Sequence, residues 1–181
     1  LLREGFFIRA LFDKPTRFER TAFGVHTRFH RARFGDSVAF LRAGFNGLAE
    51  FLEVTFEKEA NFSRTYFKMG TGFSGSRFGG MLDFSEALFE REAFFLFTLF
   101  EGDAYFRRTT FRGQADFSDA QFKGLDDFDK VFFQLQPRFD GARLIETPPT
   151  RGGLQDPRYL YGIAAAMLIF MVVFALVQRK R

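Results

Sequence analysis

Residues 103–122 read DAYFRRTTFRGQADFSDAQF, with Phe at 106, 111, 117 and 122. The gaps are five, six and five residues. The same register runs outward in both directions. Phe stands at 7, 12, 18, 23, 29 and 34, and the alternating steps continue without a break to 133 and 139. The next position is Leu144. Twenty-five of the 31 Phe lie on this one ladder, so the underlying period is 11 residues.

Neither common element accommodates that spacing. Five residues turn an α-helix by about 500° and six by about 600°, so successive rings would point in different directions. A right-handed coiled coil has an 11-residue repeat, but it needs apolar steps of three and four. A long strand alternates faces, so a step of five would turn every second Phe outward. A chain that bends after each unit meets the pattern, with every rung facing one axis. Four sides of 5+6+5+6 residues give a 22-residue coil, which places Phe29, Phe51, Phe73, Phe95, Phe117 and Phe139 in one column. Coils about 4.8 Å apart would build a rod roughly 30 Å long from about six turns. The period alone leaves other coil geometries open.

A second column supports the coil. Two residues before each rung there are 26 positions from Gly5 to Ala142, and 23 hold Gly, Ala, Ser, Thr or Val. The exceptions are Leu82, Asp126 and Pro137. Small inward residues leave room for the rings. Gly47, Gly80, Gly102, Gly113 and Gly124 share a slot two after a rung in the longer gap, and the expectation is that this added residue widens alternate corners. A buried Phe contributes about 1.5–3 kcal/mol and a stacked pair about 0.5–1.5 kcal/mol more. These gains must exceed the entropy of ordering the chain.

The units AEFLE (49–53), ANFSR (60–64), ADFSD (115–119) and AQFKG (120–124) resemble the pentapeptide-repeat superfamily, in a Phe-rich variant of 11-residue period. The resemblance covers residues 1–144. It implies an all-β solenoid, a right-handed quadrilateral parallel β-helix with Phe62 and Ala60 inside and Asn61, Ser63 and Arg64 outside. Some members of that superfamily resemble B-form DNA in shape and charge and bind topoisomerases through strongly acidic surfaces. Residues 1–144 hold 21 basic and 20 acidic residues, which disfavours that role and a nucleic-acid partner.

The ladder stops after Leu144. Residues 145–158, IETPPTRGGLQDPR, read as a Pro/Gly linker. Residues 159–177, YLYGIAAAMLIFMVVFALV, carry no formal charge and match the length of a hydrocarbon core. They are expected to form one C-terminal transmembrane helix in a lipid bilayer, followed by the basic tail 178–181. The competing reading is a buried capping helix. The basic tail places the C-terminus in the cytoplasm by the positive-inside rule, against the alternative of a tail-anchored rod that is itself cytoplasmic. Leu1 already occupies a rung position, so the expectation is a chain that continues an earlier ladder, with LLREGFFIRALF as an irregular cap the competing reading.

No residues assemble a catalytic motif. The chain has no Cys and two His, net charge is +4, and nucleophile elbow, phosphate loop and dinucleotide fingerprint are missing from the sequence. The reading is therefore of a non-enzymatic protein with no cofactor and no metal. His26, His30 and Asp36 are the only conceivable metal group, weighed against a solvated surface. Glu57 with Glu59 and Glu90 with Glu92 fall at outward positions without a cleft. Asp126 stands in the inward column, where it is expected to cap a turn. Arg17, Arg20, Arg28, Arg31 and Arg33 form a basic cluster in sequence. The best candidate interaction patch is Phe94, Leu96, Phe97 and Leu99, apolar residues at outward positions beside the rungs Phe95 and Phe100. Such a patch marks a protein partner or self-association, or else is covered by a loop or the linker. Tyr66, Leu88 and Phe132 share another outward column.

Overall fold

The computed structural model describes residues 2–145. The chain divides into two compact units, Leu1–Arg151 and Gly152–Arg181, and only the first contains described residues. Its strands are mostly two residues long and pair in parallel at a spacing of 22, as in Ala60 with Leu82 and Tyr66 with Leu88. The coil is therefore four-sided. Face 1 carries Leu48–Glu50, Thr71–Gly72 and Ala93–Phe94. Face 2 carries Thr55–Phe56, Arg77–Phe78 and Leu99–Phe100. Face 3 carries Ala60–Asn61, Leu82–Asp83 and Ala104–Tyr105. Face 4 carries Tyr66–Phe67, Leu88–Phe89 and Thr110–Phe111. Faces 1 and 4 merge into one 11-stranded sheet because the strand Ala22–Arg28 runs straight across the corner between them.

The core is a set of stacked Phe columns. Phe29, Phe51, Phe73 and Phe95 lie 4.8–5.2 Å apart with planes within 5° of parallel. Ring spacing thus follows the strand spacing set by backbone hydrogen bonds, such as Phe62 N–H to Asp83 O at 2.7 Å. Between columns the rings meet edge to face, as Phe51 and Phe62 do at 89°. Both arrangements suit the aromatic quadrupole. Leu82 fits the inward column because Ala60 and Ala104 are its neighbours in the adjacent coils.

The two kinds of corner differ, and glycine serves close approach in one of them rather than positive φ. In the short gap the rung carbonyl accepts the N–H three residues on, as in Ala87 N–H to Phe84 O at 2.9 Å. The third residue of that turn has positive φ, the type II pattern. Thirteen such residues recur every 11 positions from Arg9 to Gly141, and only Gly75 and Gly141 are glycine. Arg42 (φ 56°), Arg64 (φ 55°) and Glu86 (φ 59°) hold the left-handed conformation instead. This costs about 1–2 kcal/mol per residue, and the stacked core on either side offsets it. The glycines of the long gap have no positive φ. They are required by close approach: a Cβ on Gly102 would lie 2.5 Å from the carbonyl carbon of Gly80 in the preceding coil.

Buried hydroxyls tie adjacent coils together. Thr65, Thr98 and Thr109 donate to the carbonyls of Phe40, Phe73 and Phe84, at 2.9, 3.0 and 2.8 Å. Ser76 donates to Phe51 O at 2.5 Å and accepts the Val54 N–H at 2.9 Å, so it stands inside a turn. The inward polar residues therefore satisfy rung carbonyls that would otherwise carry fewer partners.

Candidate interaction surface

The outward positions hold the chemistry, because the interior is filled by rings. Phe94 and Phe97 are 37% and 67% exposed, and Leu96 and Leu99 are half-buried. Phe94 stands on face 1, Leu96 and Phe97 are the two central residues of the corner turn with Phe97 at its positive-φ position, and Leu99 stands on face 2. The four therefore wrap one edge of the rod. The patch is one coil deep. Phe94 pairs with Gly72 on one side and Asp116 on the other, and Leu99 lies between Arg77 and Gln121. No described segment covers Phe94 or Phe97. The linker 146–158 lies outside the described residues.

Charges on the remaining surface pair across coils. On face 2, Asp13, Arg33, Glu57, Arg77, Glu101 and Lys123 alternate in sign, with N to O distances of 3.6, 3.3, 3.1, 2.5 and 3.7 Å. Arg77 chiefly, then Arg33, holds the Glu57 carboxyl below its ordinary range. Arg31 does the same for Glu53, and Arg64 for Glu86. Arg107 bonds Asp127 and lies over the Tyr105 ring at 4.8 Å. Carboxylates alternate with guanidinium groups here, so face 2 carries no continuous acidic stripe.

The residues singled out in sequence separate in space. Among the described residues no group of His, Asp and Glu converges on a metal position. His30 Nε2 lies 3.6 Å from Glu50 Oε2 on face 1, while His26 sits at the face 4–face 1 corner on the strand Ala22–Arg28. Glu57 and Glu90 are engaged by Arg77 and Arg112. Asp126 is buried and accepts the Ile145 N–H at 2.7 Å, the backbone-capping role expected of it. The five arginines of residues 17–33 do not form a patch. Arg17 is on face 3, Arg28 is on face 1 bonded to Glu50, Arg31 bonds Glu53, and Arg33 is on face 2 with Glu57. A 22-residue circumference turns residues that are close in sequence to different sides.

A protein-family model described as Pentapeptide repeats (9 copies) matches residues 84–131. That stretch is a pentapeptide-repeat segment, and the same coil geometry extends on both sides of it. Comparison with curated proteins gave no match, and comparison with solved structures gave none. Pentapeptide-repeat solenoids are non-catalytic structural proteins, and residues 84–131 match that class. No helix among the described residues is long and apolar enough to cross a membrane. The run 159–177 and the basic tail lie outside those residues.

Proposed function

We propose that the chain is a membrane-anchored scaffold: a right-handed, Phe-rich rod of 11-residue period, held to a bilayer by residues 159–177. The uncharged 19-residue length of that run carries the reading, since it equals what a helix needs to cross hydrocarbon. Tyr159 and Tyr161 suit one interface, and Arg179, Lys180 and Arg181 suit the cytoplasmic one. The rod offers a partner the edge formed by Phe94, Leu96, Phe97 and Leu99. Its interior is occupied by rings, so recognition falls to outward side chains. A protein partner, or a second copy of the chain, would bury Phe97 most.

Alkaline carbonate extraction of native membranes tests the anchor. The intact chain is expected in the pellet, and its release to the supernatant would sink the proposal. A photo-crosslinking residue at Phe97 tests the edge. A discrete crosslinked species is expected from position 97 and not from Asn61 on face 3.

A further inference from the structure

The rod is nearly neutral, yet its charge is unevenly distributed around the coil. The corner between faces 3 and 4 presents one residue per coil at the positive-φ position: Arg20, Arg42, Arg64, Glu86, Arg108 and Lys130. Five of six are basic and exposed. Lys68, Arg91 and Arg112, also exposed, stand on face 4 and its far corner. Glu19, Glu86 and Asp129 at the same corner, and Glu4, Glu90 and Glu92 along face 4 and its far corner, are the acidic residues of the same region. With Arg107 of the same corner turn, nine basic residues face six acidic ones there, leaving twelve basic and fourteen acidic in the rest of residues 1–144. Among the described residues, Arg64 and Arg112 each pair with a glutamate, Arg107 with Asp127, Lys130 with Asp129, and the other five make no ion pair. Arg64 first, then Arg108 and Arg42, hold the Glu86 carboxyl below its ordinary range.

Between the charges face 4 is apolar. Tyr66, Leu88, Thr110 and Phe132 follow one another in register on adjacent coils and are half-buried. Val25 (62% exposed), Leu48, Met69 and Leu135 line the far corner. Val25, Leu48 and Met69 also line a shallow cavity of about 510 Å³ floored by Gly24 and Gly47. A face with an apolar column along it and a basic corner on one side has the make-up of a surface that rests at a lipid interface, with short apolar side chains among the headgroups and arginines on their phosphates.

We infer that face 4, bordered by Arg20, Arg42, Arg64, Arg108 and Lys130, docks flat on the anionic surface of a lipid bilayer. This rests on the anchor proposed above. The tether allows it: the chain leaves the last coil at Ile145, beside face 2, and thirteen residues then precede 159. They reach about 45 Å when extended, against about 20 Å for the width of the rod with its side chains. Docking through face 4 turns the Phe97 corner, which is diagonally opposite the arginine ridge, away from the lipid. One side of the rod would then hold the membrane while the opposite edge stays open to a protein.

The chain has no cysteine, so one introduced thiol carries one fluorophore. Gln134→Cys labels face 4 and Gln121→Cys labels face 2; both positions are exposed and lie near the same end of the rod. The full chain is reconstituted into phosphatidylcholine vesicles, with or without about 30% phosphatidylserine, that carry a headgroup-linked quencher. Quenching at 134 is expected to exceed that at 121 several-fold in the anionic vesicles only. The difference is expected to vanish in the Arg42→Gln, Arg64→Gln, Arg108→Gln variant. In the unaltered chain it is expected to vanish in about 1 M salt, where the Debye length falls to about 3 Å.

Equal quenching at 134 and 121 in anionic vesicles would overturn the docking, as would the same preference in neutral ones. Retention after carbonate with equal quenching would overturn the docking and keep the anchor. Release with the preference intact would do the reverse. Shielding of position 134 from iodide by a DNA duplex, and not by anionic vesicles, would overturn the lipid assignment in favour of nucleic acid.

Discussion

Phe84→Ala should be among the most damaging single truncations in the rod. The ring is fully buried and meets six others. It stacks on Phe62 at 4.9 Å and Phe106 at 5.5 Å, and it meets Phe73 and Phe95 edge-on at 5.2 and 5.8 Å. Phe67 and Phe89 complete the shell. Truncation of a buried Phe costs about 3–5 kcal/mol, the higher values falling where surrounding groups cannot collapse. Here they cannot, because each neighbouring ring is fixed by its own column and by ladder bonds above and below. The expected loss is about 4–5 kcal/mol. Phe139→Ala is the internal comparison. That ring is partly buried and, among the described residues, meets only the Phe117 and Phe128 rings, so about 2 kcal/mol is expected. The assay is denaturant unfolding of the full chain in mild detergent, followed by circular dichroism. Midpoints should fall in that order at unchanged slope. A Phe84→Ala loss no greater than that of Phe139→Ala would refute the claim that stacked columns hold the coils together.

Gly102→Ala drives a Cβ into the Gly80 backbone and should cost about 2–3 kcal/mol, whereas Gly44→Ala meets nothing within 4 Å and should be neutral or better by thermal unfolding. Ser76→Ala leaves the Val54 N–H and loses the bond to Phe51 O; a loss of about 1–3 kcal/mol is expected, and Ser76→Thr should recover part of it. Glu53, Glu57 and Glu86 have folded-state pKa values below the ordinary carboxylate value, so their contribution is present above about pH 4.3 and is lost as pH falls through the lower folded values. The melting temperature should therefore drop on acidification in that window, and Glu57→Gln should flatten the drop; an unchanged profile in that variant would count against the face 2 ladder.

The core was legible from sequence because Phe is the dominant apolar residue and its period survives over the whole rod. Its steps of five and six exclude helix and strand without reference to any contact. The inward column was equally legible, down to Asp126 as a backbone cap. The glycine slot was legible as an added residue in alternate corners, but the reason for glycine there was not. A glycine that admits positive φ and one that admits a neighbouring backbone look the same in sequence, and Gly102 is the second kind. The positive-φ positions went unseen because arginine, glutamate and lysine fill them, residues that sequence alone would place there without strain. The patch at Phe94 and Phe97 was found as excess apolar residues off the ladder, and its extent around one edge of the rod followed from the coil.

The amino-acid sequence by itself determined the period and the interior residues, because burial of one ring type at a fixed step is a local rule repeated along the chain; the strand pairing at a spacing of 22 fixed the four-sided circumference. Only the tertiary structure decided which outward residues meet. Arg33 and Glu57 are 24 residues apart, Arg77 and Glu57 are 20 apart, and Arg64 and Glu86 are 22 apart. Those separations become contacts once coils stack and side chains lean across the gap. The same stacking scattered the arginines of residues 17–33 to different sides, and it gathered Arg20, Arg42, Arg64 and Arg108 onto one corner.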